Sequence, residues 1–284
     1  MIQKLIGAGL LALGIAYGIV TLFLARKEKA AFQGENGDLK ILAPLEVVIY
    51  FLATLGISDF LLNTLTIKKL HLAEDKKLPG TLIAAGLMPG AVIAFSLLQV
   101  EDPVELKTLV PCAAAITVGC ATGAKIVGGW SGERIKRIMG FALIGSLIAL
   151  IIRFIVSQGA AGEATGLSMG KLIFAVVFSF FWGAVNMIGV PMKPAGTAMF
   201  LLLGLSPLAT LTMVLVMACI GPMGGGISIL KSRQYHQKLS CCAVVFGSLG
   251  ALLGCLFTIS VNAVLLNVLL FIVMLIAIVT MFRK

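Results

Sequence analysis

The chain has 284 residues, 60% of them hydrophobic and only 12% charged, with a formal net charge of +10 and a mean hydropathy of +1.09. Soluble domains carry about 25% charged residues, so this composition excludes a soluble globular protein and points to a polytopic helical membrane protein. Apolar runs of roughly 20 residues, with no alternating ten-residue strands, exclude a β-barrel, and basic residues confined to short loops mark membrane topology rather than nucleic-acid binding.

Apolar segments run over 5–25, 41–67, 79–100, 108–130, 138–157, 172–204, 206–230, 239–258 and 261–282. The first is too long for the apolar region of a signal peptide, and no small-x-small cleavage site precedes Arg26-Lys27-Glu28-Lys29. It is expected to be a retained span that starts outside. The second carries Gly56-Ile57-Ser58-Asp59 in its middle. The sixth carries Gly189, Pro191, Pro194 and Gly196, with Lys193 between the prolines. Each proline removes a backbone donor and clashes with the preceding turn, so this segment cannot be one helix. Unpaired backbone groups cost several kcal/mol each in hydrocarbon, and a broken helix survives only inside protein or along a watery cavity. A break flanked by Asn186, Lys193 and Thr197 is therefore a candidate binding site.

The loop charges test the topology. Loops 26–40, 68–78, 131–137 and 231–238 and the C-terminus carry four, four, three, three and two Lys or Arg, 16 of the 22 in the chain. Segments 100–107 and 157–166 are acidic or neutral. If every apolar segment crosses, the basic loops divide between the two sides and the bias nearly vanishes. If both broken segments are re-entrant, all five basic clusters fall inside, as the positive-inside rule requires. The expected fold is all-α: two inverted repeats, each a re-entrant broken helix plus three transmembrane helices, preceded by one extra N-terminal span. The divisions are 1–40 for that span and its basic loop, 41–157 for repeat 1 and 158–284 for repeat 2. Matching positions recur between the halves. Gly119-x-x-x-Gly123 answers Gly250-x-x-x-Gly254 and Lys107 answers Lys238, both at an offset of 131, and Pro79 answers Pro207 at 128. Pro89-Gly90 likewise has a counterpart in Pro222 and Gly224.

Polar residues at membrane depth are the candidates for chemistry. In the first break these are Ser58, Asp59, Asn63 and Thr64. Ser58 or Asp59 reads as an N-cap of the second half-helix, and Asp59 reads equally as a protonatable coupling residue or ligand contact. Glu46 is expected to face the interface near the start of this hairpin. In the second break, the half-helix after Pro194 offers free N–H groups and a dipole that favour an anion, with the charge of Lys193 at the same place. The alternative is a lysine snorkelling to the outer interface. Lys125 has three readings: a partner for Asp59, an anion contact, or a snorkelling lysine. His71 and His236 fall in basic loops and read as solvated. The six cysteines lie in apolar segments without metal-ligand spacing and read as packing, as do the methionines of the second half. The glycine-rich stretch 220–228 lacks the Gly-Lys-Ser/Thr ending of a P-loop. Without a catalytic triad, a zinc motif or a carboxylate pair, an enzyme is not expected, and neither a cofactor nor a metal is implied.

The layout resembles the sulfite exporter TauE/SafE family of permeases, over about 49–283. The resemblance rests on GISDFLLNTLTIKKL with LPGTLIAAGLMPG in the first half. In the second half it rests on IGVPMKPAGTAMFLLLGLSPLATL with GSLGALLG, and on the basic GERIKRIMGFALI between them. The first half departs from the family's usual Gly-Gly run, carrying Ser58-Asp59 instead. The resemblance implies transport of small anions such as sulfite, thiosulfate, organosulfonates or related carboxylates, linked to the proton gradient.

The expected function is a secondary transporter working by alternating access in the cell membrane, with a cytoplasmic C-terminus. Asn186, Lys193, Thr197, Asn63, Thr64 and Ser58 are the expected substrate contacts and Asp59 the proton-coupling residue. The partners are a small anion and the lipid bilayer, with no nucleic acid; a homo-oligomer is compatible with the sequence. A non-transporting membrane assembly subunit and an ion channel are the alternatives. The arrangement of the two breaks discriminates: if 56–60 and 189–197 lie far apart or are packed dry, the transporter loses its main support.

Overall fold

The computed structural model describes residues 2–99, 104–127, 162–190 and 193–260, with 129–131, 133, 134, 138 and 148 besides. The expected spans over 138–157 and 261–282 lie almost wholly outside them. The described chain is helical: α1 Ile2–Lys27, α2 Lys29–Gly34, α3 Leu39–Thr54, α4 Asp59–Lys69, α5 Leu78–Leu97, α6 Leu106–Val127, α7 Met169–Asn186, α8 Lys193–Leu202, α9 Pro207–Ser232, α10 Gln237–Cys242 and α11 Ser248–Ser260. A π-helical turn, Ala243–Gly247, joins the last two. Among the described residues six helical stretches are long and apolar enough to cross a membrane: α1, α5, α6, α7, α9 and Gln237–Phe257. Five coincide with expected spans. The sixth, α7, is the first arm of the second broken segment; its 18 residues make a rod of about 27 Å, close to the thickness of a hydrocarbon core.

α5 and α9 form the centre. They pack on each other and are the most enclosed of the long helices. Both begin with proline in the first turn, where the missing N–H has no intrahelical role, and Ser206 caps α9 by accepting from the Ala209 N–H at 3.2 Å. α1 is peripheral. Gln3, Gly7, Leu10, Gly14, Tyr17, Thr21 and Ala25 form one buried stripe at helical spacing, while Leu5, Ile15, Ile19 and Phe23 on other faces are exposed. Similar apolar belts cover α7 (Ile173, Phe174, Val177, Phe181) and α11 (Leu249, Leu252, Leu253, Leu256). Water does not tolerate such surface on a monomer; lipid does.

The two Gly-x-x-x-Gly motifs do parallel work. In α6, a Cβ at Gly119 or Gly123 would meet the carbonyl oxygens of Phe180 and Ala184 on α7. In α11, a Cβ at Gly250 would meet the Val47 carbonyl oxygen on α3, and one at Gly254 would crowd Phe51 and Thr54. Each motif thus seats the first arm of a broken helix from the other half of the chain, at backbone contact distance.

At the end of the bundle bearing the basic loops, the segment that follows α1 is latched to the turn between α9 and α10. Glu28 pairs with Arg233 at 3.0 Å and accepts from Gln237 Nε2 at 2.8 Å. Glu35 accepts from the Lys238 N–H at 2.9 Å. His236, expected to be solvated, is 1% exposed. Its Nδ1 accepts from the Leu239 N–H at 3.1 Å, capping α10, and its Nε2 lies 3.1 Å from the Asn36 carbonyl oxygen. Only the neutral tautomer with hydrogen on Nε2 satisfies both contacts. Burial holds the His236 pKa below its ordinary value of 6.5, against the upward pull of Glu35, with Lys77 and Lys238 also pushing it down. A lowered histidine pKa means the unfolded chain takes up the proton first. The latch therefore contributes fully above about pH 6.5 and weakens as pH falls towards the lowered value. The melting temperature of the detergent-purified protein is expected to drop as pH is taken below about 6.5, and His236→Asn, which keeps a capping acceptor without the titration, is expected to flatten that drop. An unchanged pH profile in the variant removes His236 as its source.

Candidate functional site

The two breaks share one local construction. α3 ends at Thr54, and the Gly56 N–H closes a turn onto the Ala53 carbonyl at 3.1 Å. α7 ends at Asn186, and the Gly189 N–H closes onto the Asn186 carbonyl at 2.9 Å. Gly56 and Gly189 have φ of 84° and 88°, a left-handed backbone that side chains resist, so glycine allows the chain to leave each helix in the same direction. In the first break Ser58 is the N-cap of α4, its hydroxyl facing the Leu61 N–H at 3.4 Å, and Asp59 is the first helical residue. The second half-helix, α8, starts at Lys193.

These starts meet. Lys193 Nζ lies 2.6 Å from Asp59 Oδ1, and both side chains are about nine-tenths buried, at 11% and 8% exposure. The contact is an ion pair rather than an aligned hydrogen bond, since Oδ1 closes no hydrogen bond with any donor. Beside the pair is a cavity of about 30 Å³ lined by Ser58, Asn186, Trp182, Tyr50 and the facing surfaces of α5 and α9. It has room for about two water molecules. The helices come close here because they lack side chains: Gly86 and Gly90 of α5 lie on the cavity, and a Cβ at Gly196 of α8 would collide with the Trp182 ring.

The electrostatics favour negative charge. Each helix N-terminus carries roughly half a positive charge, so α4 and α8 together present about one unit at the cavity. Lys193 and Asp59 cancel each other, and Asp59 also lies favourably at the start of its own helix. What remains is a positive site with donors on Lys193, Asn186 and the first turns of two helices. Lys193 alone, at the positive end of α8, would be doubly unfavourable; Asp59 is what holds it there.

Of the residues singled out in the sequence, Ser58, Asp59, Asn186 and Lys193 line this cavity. Thr197 is buried one turn on, its hydroxyl donating to the Lys193 carbonyl at 3.0 Å, where it steadies the first turn of α8. Asn63 and Thr64 are buried on α4 but do not border the cavity. The snorkelling alternative for Lys193 is overturned by its burial against Asp59. Lys125 is exposed, and Lys193 occupies the place it was considered for. Glu46, expected at the interface, is fully buried on α3. Tyr50, Trp182 and Gly86 are lining residues that the sequence does not single out, and Cys219 and Pro222 read there only as packing and as a repeat position; the i, i+4 spacing of Glu46 with Tyr50, and of Trp182 with Asn186, is the available signal. The described cysteines are all free, five of them buried and Cys241 half-buried, in keeping with packing.

Comparison of the chain with family models, curated proteins and solved structures gives no match in any of the three.

Removing one partner of a buried pair typically costs about 3–5 kcal/mol because the other charge is stranded. Asp59→Ala is therefore expected to lower the melting temperature by on the order of 10 °C. Adding Lys193→Met in the same chain is expected to recover much of the loss. A double variant no more stable than Asp59→Ala would show that the pair is not what holds the two half-helices together.

Proposed function

We propose that this integral membrane protein is a secondary transporter of small anions, coupled to protons and working by alternating access between two inverted repeats. The observation that carries the reading is the buried Lys193–Asp59 pair, which joins the starts of two half-helices beside a small cavity. The tips of the two breaks come together at a small cavity, as a shared binding site requires. The repeat reading is supported by the matched left-handed glycines, 133 residues apart, and by the crossed seating of each broken helix on the other half's Gly-x-x-x-Gly motif.

The chemistry follows from competition for one cation. A cavity sized for about two waters does not admit an anion of several heavy atoms while the pair is closed. An incoming anion takes Lys193, the Asn186 amide and the free N–H groups of α8. Asp59 then loses its counter-ion in a low-dielectric site, where a lone carboxylate is unfavourable, and takes up a proton. Anion and proton are bound together, and release of both restores the pair. The substrates proposed are those the TauE/SafE resemblance implies: sulfite, thiosulfate, organosulfonates or related carboxylates. The basic loops and the C-terminus are placed on the cytoplasmic side of the cell membrane.

Proteoliposomes loaded and challenged with these anions, with and without a pH gradient, test the reading. Gradient-sensitive flux of at least one is expected; none for any of them rejects the transporter. Lys193→Met is expected to abolish flux, and Asp59→Asn to uncouple it from the pH gradient. Proton-driven flux in Asp59→Asn equal to wild type would remove Asp59 from coupling. For the topology, single cysteines replacing Lys76 and Lys136 are expected to label only from the cytoplasmic side, and labelling of Lys76→Cys from outside refutes the re-entrant first break.

A further inference from the structure

A second carboxyl lies behind the pair. Glu46 is 0% exposed, and neither of its oxygens closes a hydrogen bond. It belongs to none of the ion pairs found among the described residues. Asn63, one turn along α4 from Asp59, is within hydrogen-bonding reach of it, yet the Asn63 Oδ1 is also left without a partner. Tyr50, one turn along α3 from Glu46 towards the break, is 1% exposed, and its hydroxyl is unpartnered too. The Tyr50 hydroxyl and Asp59 Oδ2 both lie within 4 Å of the point where Gly86 would carry a Cβ, at 3.7 and 3.6 Å. Tyr50 thus lies between Glu46, one turn back on α3, and Asp59 at the start of α4. The remaining titratable group near Glu46 is the Cys242 thiol at the end of α10.

Three acceptor oxygens, two on Glu46 and one on Asn63, thus lack a donor, the Tyr50 hydroxyl beside them is unpartnered, and among the described residues no cation is paired with the acid. Burying an ionised carboxylate alone costs far more than burying a carboxylic acid. A single proton on Glu46 removes that charge and supplies a donor for the Asn63 Oδ1, satisfying two orphaned acceptors at once.

We propose that Glu46 is the proton-carrying residue of the transport site, holding a proton behind the Lys193–Asp59 pair and passing it to Asp59 when an anion takes Lys193. This rests on the transporter reading above and names where its proton waits. In the transfer, the O–H bond of the Glu46 carboxyl breaks and its proton joins the Tyr50 oxygen, while the Tyr50 hydroxyl proton bonds to Asp59. Tyr50 ends as it began, Glu46 is left as the carboxylate and Asp59 as the acid. One proton has moved from α3 to the start of α4, and Glu46 is refilled from water.

Infrared spectroscopy of the purified wild-type protein at neutral pH tests the first half without any substrate. A carbonyl stretch of a buried protonated carboxylic acid is expected, shifting in heavy water, absent in Glu46→Gln and retained in Asp59→Asn. A wild-type spectrum without the band overturns the proposal, as does a band that survives Glu46→Gln. Thermal stabilisation of wild type by sodium but not by potassium, lost in Glu46→Gln, overturns it in favour of a cation site. The second half is tested with thiosulfate in proteoliposomes. Glu46→Gln is expected to lose gradient-driven accumulation by roughly 100-fold, the lower end of what positioned proton transfer contributes, with exchange at equal pH falling much less. Accumulation equal to wild type refutes the relay and leaves the transporter standing; absence of any wild-type flux rejects the transporter and the relay with it.

Discussion

Everything near the middle of this protein depends on one ion pair that is expensive to bury. Lys193 stands at the positive end of α8 and Asp59 at the start of α4, both out of water. Neither half-helix would place its first residue at membrane depth alone. Together they bring two helix N-termini to one cavity, which leaves an excess of positive potential once the pair has cancelled itself. In the closed arrangement each charge of the pair is the other's counter-ion. A buried pair of this kind contributes little net stability compared with apolar packing, although removing one partner alone strands the other charge.

The surrounding helices are shaped to permit that approach. Glycines on α5, α6 and α11 remove side chains where a Cβ would strike a neighbouring backbone, Gly196 on α8 makes room for the Trp182 ring, and Tyr50 and Trp182 supply aromatic bulk to the cavity wall. The acid at Glu46 extends the polar interior along the α3–α4 hairpin, so the hairpin carries a graded series: an isolated acid, a phenol, then a charge pair. Peripheral α1 has no part in this series. It covers α5 with a stripe of small residues and is tied by Tyr17 to the Met223 carbonyl at 2.7 Å.

Much of this was legible in the sequence, for identifiable reasons. Long apolar runs fix where helices lie, and Gly56 and the Gly189–Gly196 stretch mark where two of them stop, because the backbone chemistry of glycine and proline is local. The polar residues at the breaks followed from the cost of placing them in hydrocarbon. What stayed hidden is direction. α3 is apolar on most faces, so its periodicity does not say that Glu46 points inward, and a lysine's long stem allows Lys193 to reach either the interface or Asp59. His236 was misread as solvated because its partners, Glu35 and Asn36, are about 200 residues earlier in the chain. The charge of α7 residues says nothing of span or hairpin, and its length alone sits close to both.

The latch between the segment that follows α1 and the α9–α10 turn has a consequence for the order of assembly. Glu28 and Glu35 are made early, but the groups that satisfy them, Arg233, Gln237 and Lys238, are separated from them by more than 200 residues. During synthesis these acids remain hydrated and unpartnered while α3 to α9 are laid down. α1 is therefore made well before its clasp to the α9–α10 turn can close.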